Sequence, residues 1–209
     1  MLPRRSFLTA LASFSGVAWA RPAFAVPTPD TWDLSWLDQL KGRHKQVFAI
    51  GPLKDHVPLL VVVNYLDAHR EVFGLAHPDI NAVVGIARQG FPINAQDVVW
   101  AKYDLGRRWD LKDPATGVRA RGNIYFDAMP APPGKVVGVK PLQPRGAIFW
   151  QCNNALNSIV RDFAADTGQP ADVVRAELIA GLNPGVRLVP AHTMLLGLAQ
   201  EHGCTYEQL

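Results

Sequence analysis

Cys152 is the residue whose surroundings in this sequence point most directly to chemistry. It stands in the stretch AIFWQCNNAL, residues 147–156, where an apolar run gives way to two asparagines. The run predicts a buried strand and the following residues predict a helix, so the thiol lies at a strand-to-helix junction. Unpaired N–H groups at a helix start can stabilise a thiolate, which acts as a nucleophile or carries a second sulfur atom as a persulfide. Free cysteines in such positions are also typical small buried apolar residues.

Polar side chains follow the other predicted strands in the same way. Together with the two asparagines they are our candidates for substrate binding: Arg88, Gln89, Asn153, Asn154 and His192. If the strands run parallel, these groups share the edge of the sheet at which α/β folds bind ligands. His192 would be a base or charge partner for the thiol, or simply bond to a nearby carbonyl. One asparagine would cap the helix after Cys152.

Cys204, in the stretch EHGCTY, is the second cysteine of the chain. It is either a resolving or disulfide partner for Cys152 or an inert surface thiol. Two cysteines are too few to build a disulfide framework. The tail that carries Cys204 is a candidate to fold back over the carboxyl edge of the sheet.

Metal and cofactor motifs are absent from the sequence. It has no Cys-x-x-Cys or His-Glu-x-x-His pair, no phosphate-cradling glycine loop and no Gly-x-Ser-x-Gly elbow. The six histidines show no ligand spacing, although a site assembled in three dimensions from Cys152, His192 and His44 stays open. We therefore predict no metal and no cofactor.

Apolar strands alternate with helices along the chain. Strands are predicted at 45–50, 80–87, 123–126, 147–151 and 186–191, and helices at 30–40, 55–73, 95–106, 153–168, 170–181 and 193–203. This alternation predicts an α/β fold, a three-layer α/β/α sandwich around a mostly parallel sheet of flavodoxin-like or Rossmann-like topology. Residues 26–209 would form one domain, with an irregular surface excursion from 107 to 133.

The first 25 residues predict a cleaved export signal. Arg4 and Arg5 precede a short, modestly apolar run that ends at Ala23-Phe24-Ala25, a small-residue cleavage pattern. The order Arg-Arg-Ser-Phe-Leu is typical of the twin-arginine signal, which exports folded proteins; an ordinary secretory signal with an incidental arginine pair is the alternative. Both predict a periplasmic protein.

Charge argues against two classes of partner. The predicted signal holds three of the 21 Lys and Arg residues and no acidic residue, so 18 basic and 18 acidic residues remain after it. The formal charge of the mature part is therefore zero, which supports neither a nucleic-acid partner nor an acidic membrane surface. No later stretch is long and apolar enough to cross a bilayer.

At FWQCNNAL and PGVRLVPAHTMLLGLAQEHGCTY the chain resembles the DsrE/DsrF-like superfamily of sulfur-relay proteins, and most of all its exported branch with twin-arginine signals. The shared features are a strand ending in Cys-x-x-Ala-Leu, a PGV turn before a strand with Val-Pro, a closing helix and Gly-x-x-Tyr. The match is clearest over 147–206 and agrees in outline over 45–105. Residues 107–140 have no counterpart.

The resemblance implies a DsrE-like α/β/α fold and a homo-oligomer. It also implies that Cys152 accepts sulfur as a persulfide. Our leading hypothesis is therefore a protein that binds or transfers a sulfur species through Cys152, with a small sulfur-containing anion or a sulfur-donor protein as partner. In this hypothesis Arg88 and His192 help to hold the thiolate or an anionic sulfur compound. The chain departs from the family in the added segment DTGQPADVVRAELIAGL and in its export. Two alternatives stay open: a non-enzymatic module that binds a small molecule or cofactor, and a structural or assembly protein with a Cys152–Cys204 disulfide.

Overall fold

Five parallel strands form the sheet at the centre of the described structure. The computed structural model describes residues 32–53 and 57–209, and the predicted export signal lies outside these ranges. The strands are β1 (His44–Ile50), β2 (Ile80–Ile86), β3 (Ala147–Cys152), β4 (Arg187–Val189) and β5 (Thr205–Gln208). Their order is β4-β3-β2-β1-β5, with every neighbouring pair parallel. The predicted α/β class with a parallel sheet is confirmed.

The α-helices of the described residues connect these strands. They are α1 (Val57–Phe73), α2 (Phe91–Asn94), α3 (Asp97–Tyr103), α4 (Leu105–Arg108), α5 (Val139–Leu142), α6 (Asn153–Thr167), α7 (Ala171–Ala180) and α8 (His192–Glu201), with 3-10 helices at Ser35–Gln39 and Gln143–Arg145. From β1 to β4 the chain steps across the sheet in one direction, and right-handed crossovers therefore place α1 to α7 on one face. The return from β4 to β5 places α8 on the other face.

The alternation of side chains along the strands gives the sheet two separate apolar layers. Phe48, Val84 and Phe149 pack with side chains of α1, α3, α6 and α7 in the larger layer. Val83 and Trp150 pack with α8 and the first 3-10 helix in the smaller one. Helices therefore cover both faces, as a three-layer sandwich requires, and the smaller layer lies next to the end of β3.

Strand β5 was missed by the sequence analysis. The tail does not fold over the carboxyl edge of the sheet; it pairs with β1 in the register Gln46↔Thr205, and Leu209 donates its N–H to the carbonyl of Ala49. The strand sequence TYEQ is polar and mostly exposed because it forms an edge of the sheet. Strand prediction relies on apolar alternation, and this segment lacks it.

Three local predictions differ from the structure. Residues 123–126 do not form a strand: 124–126 form a turn, and the ring of Tyr125 is buried near that of Trp100. Within the predicted helix 30–40, the described part is a 3-10 helix limited to Ser35–Gln39. The predicted helix 95–106 is interrupted at Asp104, whose φ of 48° is left-handed and ends α3.

Trp32–Leu209 forms one compact unit. Within the described ranges, no helix combines the length and the apolar character that crossing a membrane requires.

Candidate functional site

Cys152 is both the last residue of β3 and the N-cap of α6. Its backbone is extended, and its sulfur accepts a hydrogen bond from the N–H of Ala155 over 3.4 Å. The predicted strand-to-helix junction is thus confirmed. The prediction that an asparagine caps the helix is wrong, because the sulfur of Cys152 takes that role.

A second helix also begins at this sulfur. His192 is the first residue of α8, and its backbone N–H donates to Cys152 Sγ over 3.2 Å. The contact follows from the sheet, since β4 pairs with β3 in the register Cys152↔Val189 and α8 starts three residues later. N–H groups in the first turn of a helix have no partner within the helix and carry partial positive charge. Two such groups on one sulfur stabilise negative charge there.

The imidazole of His192 is held by Trp150. The indole Nε1 of Trp150 donates to His192 Nδ1 over 3.2 Å, and the ring centroids lie 5.8 Å apart in an edge-on arrangement. An indole N–H can only donate, so Nδ1 is the accepting nitrogen and the neutral ring carries its proton on Nε2. Burial lowers the pKa of His192 below its usual 6.5. This shift favours the uncharged imidazole at neutral pH and so disfavours a positive charge on His192 as the partner of the thiol.

Gly85 makes room for these two rings. It is the β2 register partner of Trp150, and a Cβ at this position would lie 2.5 Å from Trp150 Cζ2 and 3.0 Å from His192 Cε1. Sequence analysis missed the contributions of both Trp150 and Gly85. The available signal was the two-residue spacing of Trp150 and Cys152, which places them on the same face of a strand.

The two asparagines after Cys152 do not serve the sulfur. Asn153 accepts a hydrogen bond from Arg175 over 2.7 Å, and Arg175 also binds Asn157, so these contacts join α6 to α7. Asn154 is exposed on the first turn of α6. Among the described residues, neither Asn153 nor Asn154 has a side-chain hydrogen bond to Cys152 that would support the predicted role in substrate binding.

Arg88 and Gln89 lie apart from the sulfur as well. Arg88 donates to Ser158 Oγ over 2.7 Å and pairs with Asp162, both on α6. Ser158 is about 9 Å along the helix from Cys152. Arg88 and Gln89 line a cleft of about 570 Å³ together with residues that include Arg108 and Trp109, and Cys152 is not part of its lining. The predicted convergence is therefore correct for Cys152 and His192 and wrong for Arg88 and Gln89.

A larger cleft of about 740 Å³ lies between α3 and residues 113–121. Its lining includes two arginines, Arg119 and Arg121, and two aspartates, Asp104 and Asp113, and it contains no thiol or imidazole. Size alone does not make it the candidate site, because the chemistry found in the sequence lies at the end of β3.

Cys204 is far from Cys152. Both cysteines are free thiols. The strand registers place Cys204 level with Lys45 and Cys152 level with Gly51, which separates them by about 20 Å along the strands and about 14 Å across them. A disulfide needs Cα atoms within about 7 Å. A Cys152–Cys204 disulfide within one chain is therefore excluded by this fold.

Burial also makes Cys204 a poor nucleophile. The thiol is buried, and loss of solvent raises its pKa to about 11, although the charge of Lys45 opposes the shift. Since the thiolate is the reactive form, Cys204 is protonated and unreactive at neutral pH. Of the two predictions for Cys204, the inert thiol fits the structure, although it is buried rather than on the surface.

The metal site left open in the sequence is not formed. His44 begins β1 and stacks on Phe73, 5.7 Å away, at the opposite end of the sheet from Cys152. Across the part of the chain that the structure describes, no group of three or more His, Cys, Asp or Glu side chains is arranged to hold a metal ion.

A comparison with protein-family models found no match, and a comparison with curated proteins found none either. Among solved structures, the chain is similar to a protein of unknown function, MTH1491 from Methanobacterium thermoautotrophicum. The two are 15% identical with a TM-score of 0.41, over 79% of this chain and 99% of that one.

Proposed function

We propose that this chain is a DsrE-like sulfur-handling protein that binds or transfers a sulfur atom through Cys152. The observation that carries the proposal is the pair of backbone N–H donors on one sulfur, from Ala155 in α6 and from His192 in α8. Preorganised N–H groups stabilise an anion without giving up a proton. The same two N–H groups stabilise the Cys152 thiolate before transfer and hold the persulfide that forms on Cys152 after transfer.

The transfer step needs no outside oxidant. The Cys152 thiolate attacks the terminal sulfur of a donor persulfide or polysulfide. The new bond joins Sγ to that sulfur, and the donor's S–S bond breaks with its electron pair leaving on the donor thiolate. The hydrogen on the transferred sulfur stays with it or is lost to water. Attack by an acceptor thiolate on the outer sulfur reverses the step and restores the Cys152 thiolate.

The other predicted site residues have a smaller part in this proposal. His192 contributes its backbone N–H and a neutral imidazole rather than a positive charge. Arg88 is paired with Asp162 on α6, so we assign it no direct contact with the transferred sulfur. The sulfur donor belongs to the class of small sulfane anions or protein persulfides.

A binding module without covalent chemistry is the second candidate. The observation in its favour is that Cys152 is only 4% exposed, while a cleft of about 570 Å³ lies at the same edge of the sheet. In that case the edge holds a small molecule and Cys152 is a structural cap. The two candidates differ in whether the native thiol reacts.

The test uses the Cys204→Ser variant, in which Cys152 is the only thiol. The folded protein is incubated with inorganic polysulfide, freed of excess reagent, and examined by non-reducing intact mass and peptide mapping. We expect one added sulfur on Cys152, removed by a thiol reductant, and none on the matched variant Cys152→Ser. A folded Cys204→Ser protein that gains no sulfur contradicts the proposal and favours the binding module.

Export and assembly are separate parts of the proposal. The sequence pattern of residues 1–25 supports the twin-arginine route to the periplasm, and the family resemblance supports a homo-oligomer. Replacing Arg4 and Arg5 together by Lys keeps the charge that an ordinary secretory signal needs. We expect this double replacement to block export, and continued export of the variant would contradict the twin-arginine route. Sedimentation of the mature protein tests the oligomer, and a monomer at all concentrations would contradict it.

A further inference from the structure

We propose that Trp150 is a positioning residue: through the imidazole of His192 it places the first N–H of α8 on the sulfur of Cys152, and Gly85 is the residue that makes this arrangement fit. The inference rests on the proposed function, because it concerns how the same sulfur is held. Neither Trp150 nor Gly85 touches a transferred sulfur atom in this proposal.

His192 is anchored at two points to the same strand. Its side chain accepts a hydrogen bond from Trp150, and its backbone N–H donates to Cys152, two residues further along β3. Both contacts are 3.2 Å long. Two anchors on one residue fix both the position and the orientation of the first turn of α8. If the side-chain anchor is lost, the hydrogen bond to sulfur is the remaining hydrogen bond between His192 and β3 among the described residues.

The indole of Trp150 is itself immobilised. The side chain is fully buried, and its ring centroid lies 6.0 Å from that of Trp36, which is also fully buried. On the sheet side the ring lies directly over Gly85, with no room for even one methyl group. Trp150 is therefore held between Trp36 and β2. Its hydrogen bond to Nδ1 in turn holds the imidazole of His192 in place.

Gly85 is consequently required by shape rather than by backbone conformation. It lies within β2, where its φ is not in the left-handed region. An alanine would collide with two carbons of the indole and press on Cε1 of the imidazole. Displacing these rings moves the start of α8 and lengthens the N–H contact to Cys152.

The test is a double-mutant cycle on the native protein in the Cys204→Ser background. The variants are Trp150→Phe, which keeps an aromatic ring but loses the donor, His192→Ala, and their combination. The readout is the rate at which Cys152 reacts with iodoacetamide, with urea unfolding measured beside it as a separate check on stability. Alkylation is used because it does not require Cys152 to accept sulfur, so failure of the proposed function and failure of this inference are distinguishable.

We expect each single variant to slow alkylation of Cys152 about tenfold, the usual effect of losing one hydrogen bond to a charged group. The double variant should be no slower than either single one, because Trp150 acts through His192. His192→Asn should recover most of the rate, since its side-chain oxygen can accept from the indole near the position of Nδ1. Unchanged or faster alkylation in the single variants, additive effects in the double variant, or no recovery by asparagine would overturn the inference.

Gly85→Ala supplies an independent arm. We expect it to slow alkylation in the same direction, whereas Gly197→Ala should leave the rate unchanged. Gly197 is the matched control because it lies in α8 itself and a Cβ there meets nothing within 4 Å. If Gly85→Ala folds and alkylates at the wild-type rate, the role of Gly85 is wrong. If it does not fold, the Trp150 and His192 variants still decide the inference.

Discussion

The backbone N–H of His192 donates a hydrogen bond to the sulfur of Cys152 over 3.2 Å, although 40 positions separate the two residues in the chain. The same sulfur accepts the N–H of Ala155. One side-chain atom thus serves the starts of two helices, α6 and α8. Removing that atom should affect the stability of the fold as well as any chemistry at the site.

Serine and alanine at position 152 should therefore behave differently. A serine oxygen is a good helix cap and can accept both N–H groups, so Cys152→Ser should unfold within about 1 kcal/mol of the wild type. Cys152→Ala leaves both groups without a side-chain partner and should cost about 1–2 kcal/mol more than serine. Urea unfolding at neutral pH measures both values. Equal stability of the two variants would show that the contacts to sulfur contribute nothing.

The two cysteines should react at very different rates in the folded protein. Burial raises the pKa of Cys204 to about 11, so only a minute fraction of it is thiolate at pH 7.5. Cys152 is buried as well, but its sulfur accepts hydrogen bonds from two backbone N–H groups. We expect iodoacetamide to modify Cys152 at least about ten times faster than Cys204, as followed by peptide mass. In urea the two rates should become similar, and preferential modification of Cys204 in the native state would contradict the assignment.

Arg88 should have little influence on Cys152. Its pair with Asp162 joins two side chains that are 44% and 48% exposed, and such pairs contribute less than about 1 kcal/mol. Arg88→Ala should therefore change the alkylation rate of Cys152 by less than about twofold, since Arg88 has no contact with the sulfur. A much larger change in the alkylation rate of Cys152 would show that Arg88 acts on the thiol and belongs to the site. Asp162→Asn is the matched control, because it breaks the same pair and leaves the guanidinium in place.

Asp67 should make the stability of the protein depend on pH. Burial by itself would raise the pKa of this carboxyl, but hydrogen bonds from Lys135 and Arg145, each 2.7 Å long, and the charges of both residues outweigh it and hold the pKa below its usual 3.8. A lowered carboxyl pKa contributes stability above the unfolded value, and that contribution is lost as the pH falls through the folded value. The loss should therefore occur below about pH 4.

Asp67→Asn tests this dependence. At pH 7 the variant should unfold about 2 kcal/mol more easily, because it removes the charge that Lys135 and Arg145 share. As the pH falls below about 4, the difference from the wild type should shrink progressively. Asp127→Asn is the control, since its pair with Lys140 is well exposed. A cost of Asp67→Asn that stays the same as the pH falls would contradict the ion-pair explanation.

Local features were predictable because they depend on neighbours in the chain. Apolar runs at β1, β2 and β3 and the helix signals between them predicted a parallel sheet with covered faces, and the break after Trp150 and Gln151 placed Cys152 at a strand end. Burial of a strand on both faces requires such a run, so the pattern and the structure have the same physical cause.

The composition of the site was decided by the tertiary structure. Arg88 follows a strand as His192 does, yet it binds Asp162 and Ser158 on α6 while His192 reaches the sulfur. The difference depends on the order of the strands and on the face of the sheet to which each side chain points. The local sequence determines neither of these. The same holds for β5, whose polar residues become a strand only because the edge of β1 is there to pair with them.

The sequence by itself thus determined the class of fold and the placement of one thiol at the start of a helix, since both follow from short-range periodicity and from the chemistry of single residues. Only the tertiary structure decided that a second helix begins at the same sulfur, that Trp150 and Gly85 hold His192 there, and that Cys204 lies at the opposite end of the sheet. These relationships depend on contacts between distant segments, which form only when the strands take their order in the sheet.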